Sequence, residues 1–83
     1  MNMKPLKTIE VEQYEYGNYI IETIDTGDML EAWIQKKDYA IKSLMFGLPY
    51  RQPDKTYTKQ ECLEVVEANL PEQITLYAEA FEE

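Results

Sequence analysis

Six apolar residues in the last third of the chain, Leu63, Val66, Leu70, Ile74, Tyr77 and Phe81, recur at intervals of three and four without losing phase. Only the helical period produces such a stripe, so this segment is an amphipathic helix. Thr58 followed by Glu61 forms a capping box that starts it. Pro71 removes the amide that would bond the Glu67 carbonyl, which leaves a kinked helix or two helices with Pro71 opening the second. The preserved phase favours the kink. A helix with one apolar side needs a surface to cover, and the residues ahead of it must supply that surface.

Those residues alternate. Thr8 to Tyr16 carries Ile9 and Val11 in one phase and Tyr14 and Tyr16 in the other, a slip that a β-bulge near Glu12-Gln13 accounts for. Gly17-Asn18 is a turn, Tyr19 to Ile24 a β-branched and aromatic run, Asp25-Thr26-Gly27-Asp28 a second turn, and Met29 to Lys36 a third strand. Tyr39 to Leu48 admits two readings. As a helix it has Asp38 as N-cap, with Gly47 and Pro49 at its end. As a strand it returns through a tight turn at Lys37-Asp38, setting Ile41 opposite Ile34, Ser43 opposite Ala32 and Met45 opposite Leu30. The strand is favoured, since that register keeps one face free of charge.

The predicted architecture is a single two-layer α+β domain over residues 1–83. An antiparallel meander of three or four strands occupies about residues 8–48, a loop 49–57, and the helix 58–82. One face of the sheet carries Tyr14, Tyr16, Tyr19, Ile21, Leu30, Ala32, Ile34, Ile41 and Met45, and the helix should cover it, with Ala32 admitting close approach. The other carries Val11, Ile24, Met29 and Phe46 in one apolar row, with Ile20, Trp33 and Leu44 among Gln13, Glu15, Glu22, Glu31 and Lys42; of these, Ile20, Ile24, Met29, Trp33, Leu44 and Phe46 are the candidate interface. It lacks cover unless the N-terminal segment or the loop Tyr50 to Tyr57 folds over it. An uncovered cluster of this kind is a candidate contact surface.

Several chemistries are excluded. The chain has no histidine, and so no imidazole base, no Ser-His or Cys-His pair and no His-containing metal site. Cys62 is the single cysteine, so there is neither an internal disulfide nor a multi-thiolate centre. Glycine occurs only at 17, 27 and 47, which leaves no phosphate-cradling loop. No apolar run nears the roughly 20 residues of a membrane span, and the segment after Lys4 and Lys7 is too polar for a signal peptide, so a cytoplasmic location is expected.

Charge is distributed unevenly. The net charge is −8, and residues from Gln60 onward hold seven acids and no base. With Arg51 the lone arginine, direct binding to nucleic acid is disfavoured. On a helical wheel Glu61, Glu64, Glu72, Glu79 and Glu82 lie opposite the apolar stripe, with Glu67 on its flank. That row is either a solvated outer face or a carboxylate ladder resembling a phosphate backbone. Glu22 and Glu31 are expected to face each other across a hairpin, where Lys42 offsets their repulsion more readily than the pair forms an acid/base or cation site. Asp25 to Asp28 lacks the remaining ligands of a calcium loop and is a turn. Cys62 is expected to be buried as a small hydrophobe. No catalytic, cofactor-binding or metal-ligating residue emerges.

The segment from Ala32 to Gly47, with its Trp33-Ile34 strand, Lys37-Asp38-Tyr39 turn and Met45-Phe46-Gly47 end, resembles short, functionally uncharacterised bacterial proteins that end in a helix. The resemblance implies the same fold and no activity. Together these features lead to the expectation of a non-enzymatic interaction module without cofactors, acting on a protein partner or as a homodimer through the face bearing Trp33. The alternative is an acidic mimic of nucleic acid acting through the helix.

Overall fold

The computed structural model describes residues 3–82. Four strands, β1 (Glu10–Tyr16), β2 (Tyr19–Asp25), β3 (Met29–Lys36) and β4 (Lys42–Pro49), form an open antiparallel sheet in chain order, followed by one helix, α1 (Lys59–Phe81). The fold is two-layer α+β. Of the segment Tyr39 to Leu48, the strand takes Lys42 to Leu48, while residues 39–41 precede it and Ser43 in place of Ile41 lies opposite Ile34; Asp38 turns the chain with a positive φ of 69° that aspartate tolerates better than most residues.

Three local features differ from the sequence reading. The β1–β2 ladder is regular from Glu10 to Tyr16, so Val11 and Tyr14 face opposite sides without a bulge. Between β2 and β3 the register is displaced by two residues, with Ile21 opposite Ile34 and Glu22 opposite Trp33. The cause is the turn. It closes on Thr26 and Met29, and Gly27 takes its first central position at φ 89°. A displacement of two residues preserves both faces but changes every partner. The third difference is in β4, where Leu44 lies opposite Trp33 and Phe46 opposite Ala32, with Met45 bulged between them. The extra residue inverts the alternation that follows it.

Helix α1 runs unbroken through Pro71. Thr58 and Glu61 exchange hydrogen bonds of 3.1 Å each in the expected capping box. Its backbone lies over β3 and β4 and reaches the other two strands through side chains alone. A helix is about 10 Å across and strands lie about 4.8 Å apart, so one helix covers two strands. Every residue of β1 is consequently exposed. The core joins Ile21, Ala32 and Ile34 of the sheet to Val66, Leu70 and Tyr77 of the helix, with Phe46 and Leu48 packed against them. Both helix ends are tied down. Lys59 pairs with Glu10 and Glu12, and Glu82 turns back to accept from Tyr19 and Lys36.

Candidate interaction surface

The outer face of the sheet, opposite α1, is built from alternate residues of all four strands. Gln13, Glu22, Trp33 and Leu44 form its central row, flanked by Glu15, Ile20, Gln35 and Lys42 on one side and by Val11, Ile24, Glu31 and Gly47 on the other. Met29 lies beyond, and a Cβ at Gly47 would stand 3.1 Å from its Cε, so the missing side chain is what lets Met29 lie flat. Five of the six residues anticipated on this face are there: Ile20, Ile24, Met29, Trp33 and Leu44. Phe46 is not, because the bulge at Met45 sends it to the helix side.

Among the described residues, no further element covers this face. Residues 3–9 form no strand or helix, and Met3, Leu6 and Ile9 are well exposed. The loop after β4 closes on itself, with Tyr57 donating to the Tyr50 carbonyl and Gln52 to that of Lys55. Trp33, Ile20, Ile24 and Met29 are half-buried by one another, whereas Val11 and Leu44 remain 56% and 51% exposed. Val11 thus joins the surface, and its pairing with Ile24 was the sequence signal for that.

Two of the three carboxylates here have a lysine partner, and Glu31 has only the Trp33 indole. Glu22 accepts from Lys42 at 2.7 Å and from Gln13 at 3.0 Å, and these bonds, in that order, hold its carboxyl below the usual range. Lys37 does the same for Glu15. The Trp33 Nε1 donates to Glu31 at 3.2 Å, fixing the indole across the strand. Glu22 and Glu31 are not partners, which removes the anticipated carboxylate pair.

The acidic row on α1 is shorter than expected. Glu64, Glu72 and Glu79 are exposed. Glu61 is engaged by the cap and by Lys55 at 2.7 Å, and Lys55 foremost depresses its pKa. Glu82 leaves the row for the sheet, where first Lys36 and then Tyr19 lower its pKa.

Other chemically capable groups are structural. Asp25 Oδ1 accepts from the Gly27 amide at 2.9 Å, the Asx turn of an ordinary hairpin. Cys62 is buried, and desolvation pushes its thiol up, away from reactivity. Tyr50 has a buried hydroxyl without a hydrogen bond of normal geometry; desolvation, then the Asp25 carboxylate, push it up to about 12. Among the described residues no group of three acids or thiols could hold a metal ion, and no helix is long and apolar enough to cross a membrane. An open cleft of about 480 Å³ lies between the uncovered inner side of β1 and α1, bordered by the buried Ile21 and Thr23 of β2, with Tyr14, Tyr16, Leu63 and Glu67 in its walls. Comparison of the chain with protein-family models, curated proteins and solved structures gives no match in any of the three.

Proposed function

We propose that this chain is a protein-interaction module that self-associates through the outer face of its sheet, with Trp33 as the central anchor. The observation that carries this reading is an apolar cluster around Trp33 on a face where two of the three carboxylates are paired with lysines. A chain of net charge −8 repels its own copies, and contact is cheapest where carboxylates already have their cations. On this face Glu22 has Lys42 and Glu15 has Lys37. Four strands of about seven residues present a footprint of roughly 450 Å² per copy, or about 900 Å² for two, before side-chain relief is counted, which is the size of a weak, reversible contact. A half-buried Trp ringed by Ile20, Ile24 and Leu44 is the arrangement that concentrates binding energy at one point.

The carboxylate ladder has less support. Glu64, Glu72 and Glu79 are separated by about 12 and 10 Å along the helix, far sparser than phosphates on a nucleic-acid strand. Light scattering after gel filtration tests the leading reading. Trp33→Glu, with its helix signal in circular dichroism retained, should halve the mass. An unchanged mass would remove the Trp33 face from consideration.

A further inference from the structure

The edge of β4 is protected differently from the opposite edge. β4 carries no acid, and its protection is confined to Lys42 and Pro49 at its two ends and the bulge at Met45, with Ser43 to Leu48 uncharged between them. The opposite edge strand, β1, carries Glu10, Glu12 and Glu15, the usual defence against unwanted pairing. Among the described residues no backbone segment besides β3 bonds to β4, so apart from Pro49, which has no amide and whose carbonyl accepts from Gln52, its outward backbone groups are open to another strand.

One flank of the helix above that edge is free of charge, although α1 as a whole holds five glutamates. Gln73, Leu76 and Ala80 stand beside β4, and helical spacing continues their line through Asn69 and Val65. Val65 is 44% and Leu76 49% exposed, while acids dominate the rest of the solvent side. Between flank and strand lies an open hollow of about 260 Å³, in which Gln73, Leu76 and Ala80 face Ser43 and Leu44.

We infer that β4 pairs antiparallel with β4 of a second copy about a two-fold axis, joining two sheets into one of eight strands with the uncharged flanks of the two helices in contact. The occupant is a second copy because the geometry is self-complementary. An antiparallel strand pair and an antiparallel helix pair share one two-fold axis. With α1 centred over β3 and β4 and strands about 4.8 Å apart, each helix axis stands about 4.8 Å from that axis. The two helices are then about 9.6 Å apart, inside the 8–10 Å at which helices pack. The bulge at Met45 shortens the strand ladder, so the helix flank supplies the remaining contact and fills the hollow.

This edge is distinct from the Trp33 face, and the two contacts are compatible. Edge pairing sets two outer faces side by side, and face-to-face association of two such pairs gives a closed assembly of four. Light scattering on the whole chain separates the contributions. With both contacts present, the wild type runs as four copies, Trp33→Glu as two, Val65→Glu/Leu76→Glu as two, and the triple variant as one. A wild-type dimer that survives Trp33→Glu and dissociates with Val65→Glu/Leu76→Glu upholds the edge and rejects the face. A mass unmoved by Val65→Glu/Leu76→Glu overturns the edge. Amide exchange on the wild type gives a check independent of any variant: the amides of β4 should exchange more slowly as protein concentration rises, and concentration-independent exchange overturns the pairing.

Discussion

Replacing Tyr77 by Phe isolates one hydrogen bond on which the seating of the helix depends. Tyr77 is 2% exposed, and its hydroxyl donates to the Ile41 carbonyl at 2.6 Å, joining α1 to the chain entering β4. Its ring meets Tyr19 edge-on at 5.9 Å and Phe81 at 5.0 Å, contacts that phenylalanine keeps. Only the bond is lost. Ile41 is 43% exposed, so water can reach the vacated carbonyl and the penalty of an unsatisfied buried acceptor does not apply in full. The expected cost is about 1 kcal/mol, or a fall in Tm of about 4–8 °C for a domain of this size. Tyr77→Ala also removes the ring and should cost about 3–5 kcal/mol, much of the stability of a small domain. Urea unfolding followed by the fluorescence of Trp33, on the opposite face of the sheet, reads both without touching the reporter. The comparison is made at one protein concentration, because association adds to apparent stability. If Tyr77→Phe matched Tyr77→Ala, or cost nothing, the hydroxyl would not be what holds the helix here.

Thr58→Ala removes the acceptor for the Glu61 amide and should cost about 1 kcal/mol, with fraying of the first helical turn visible in amide exchange. Unchanged protection there would argue against the cap. Glu82 has a folded-state pKa below its unfolded value, so its contribution is present above the ordinary glutamate range near about 4.3 and is lost as pH falls through the lowered value. Glu82→Gln should flatten that acid limb, and an identical acid profile would show that Lys36 and Tyr19 do not favour the carboxylate. Tyr50 is displaced in the other sense. Raised to about 12, it favours the folded state below the ordinary tyrosine value and withdraws that support as pH climbs from about 10 toward 12. In an absorbance titration Tyr50→Phe should delete the last tyrosine to ionise; loss of an early one would refute the assignment.

What the sequence made legible was whatever depends on period and punctuation. The stripe from Leu63 to Phe81, the capping box and the turns at Gly17 and Gly27 are local, and the structure has them all. Pairings that depend on a single residue's φ were not legible. Asp25 to Asp28 can close on two different pairs, and the choice that gives Gly27 its positive φ moves Glu22 from Glu31 to Trp33. The bulge at Met45 left no compositional trace, since Leu44, Met45 and Phe46 are interchangeable to a hydropathy pattern. Its effect on the site was nevertheless the largest, because it removed Phe46 from the outer face. Glu82 was misplaced for a related reason. A helical wheel assumes the helix continues, but at the C-cap the backbone becomes extended and the side chain swings back to Lys36.

The case for self-association rests on a mismatch of widths. One helix lies over two strands and its side chains also bury Ile21 of β2, yet the chain builds four, so the inner side of β1 and the whole outer face must be solvated or covered by another molecule. The chain treats these exposed regions differently. Along the inner side of β1 it places tyrosines and leaves Glu67 on the rim, a surface water tolerates. Its β1 edge carries three glutamates. The outer face instead has two of its three carboxylates paired, and the β4 strand from Lys42 to Pro49 carries no acid, in a chain whose remaining surface is strongly acidic. Solubility alone would favour carboxylates there too, since −8 distributed evenly disperses copies better than −8 crowded elsewhere. Concentrating the repulsion away from two specific surfaces lowers the cost of contact there relative to the others, which is the physical basis of the assembly proposed above.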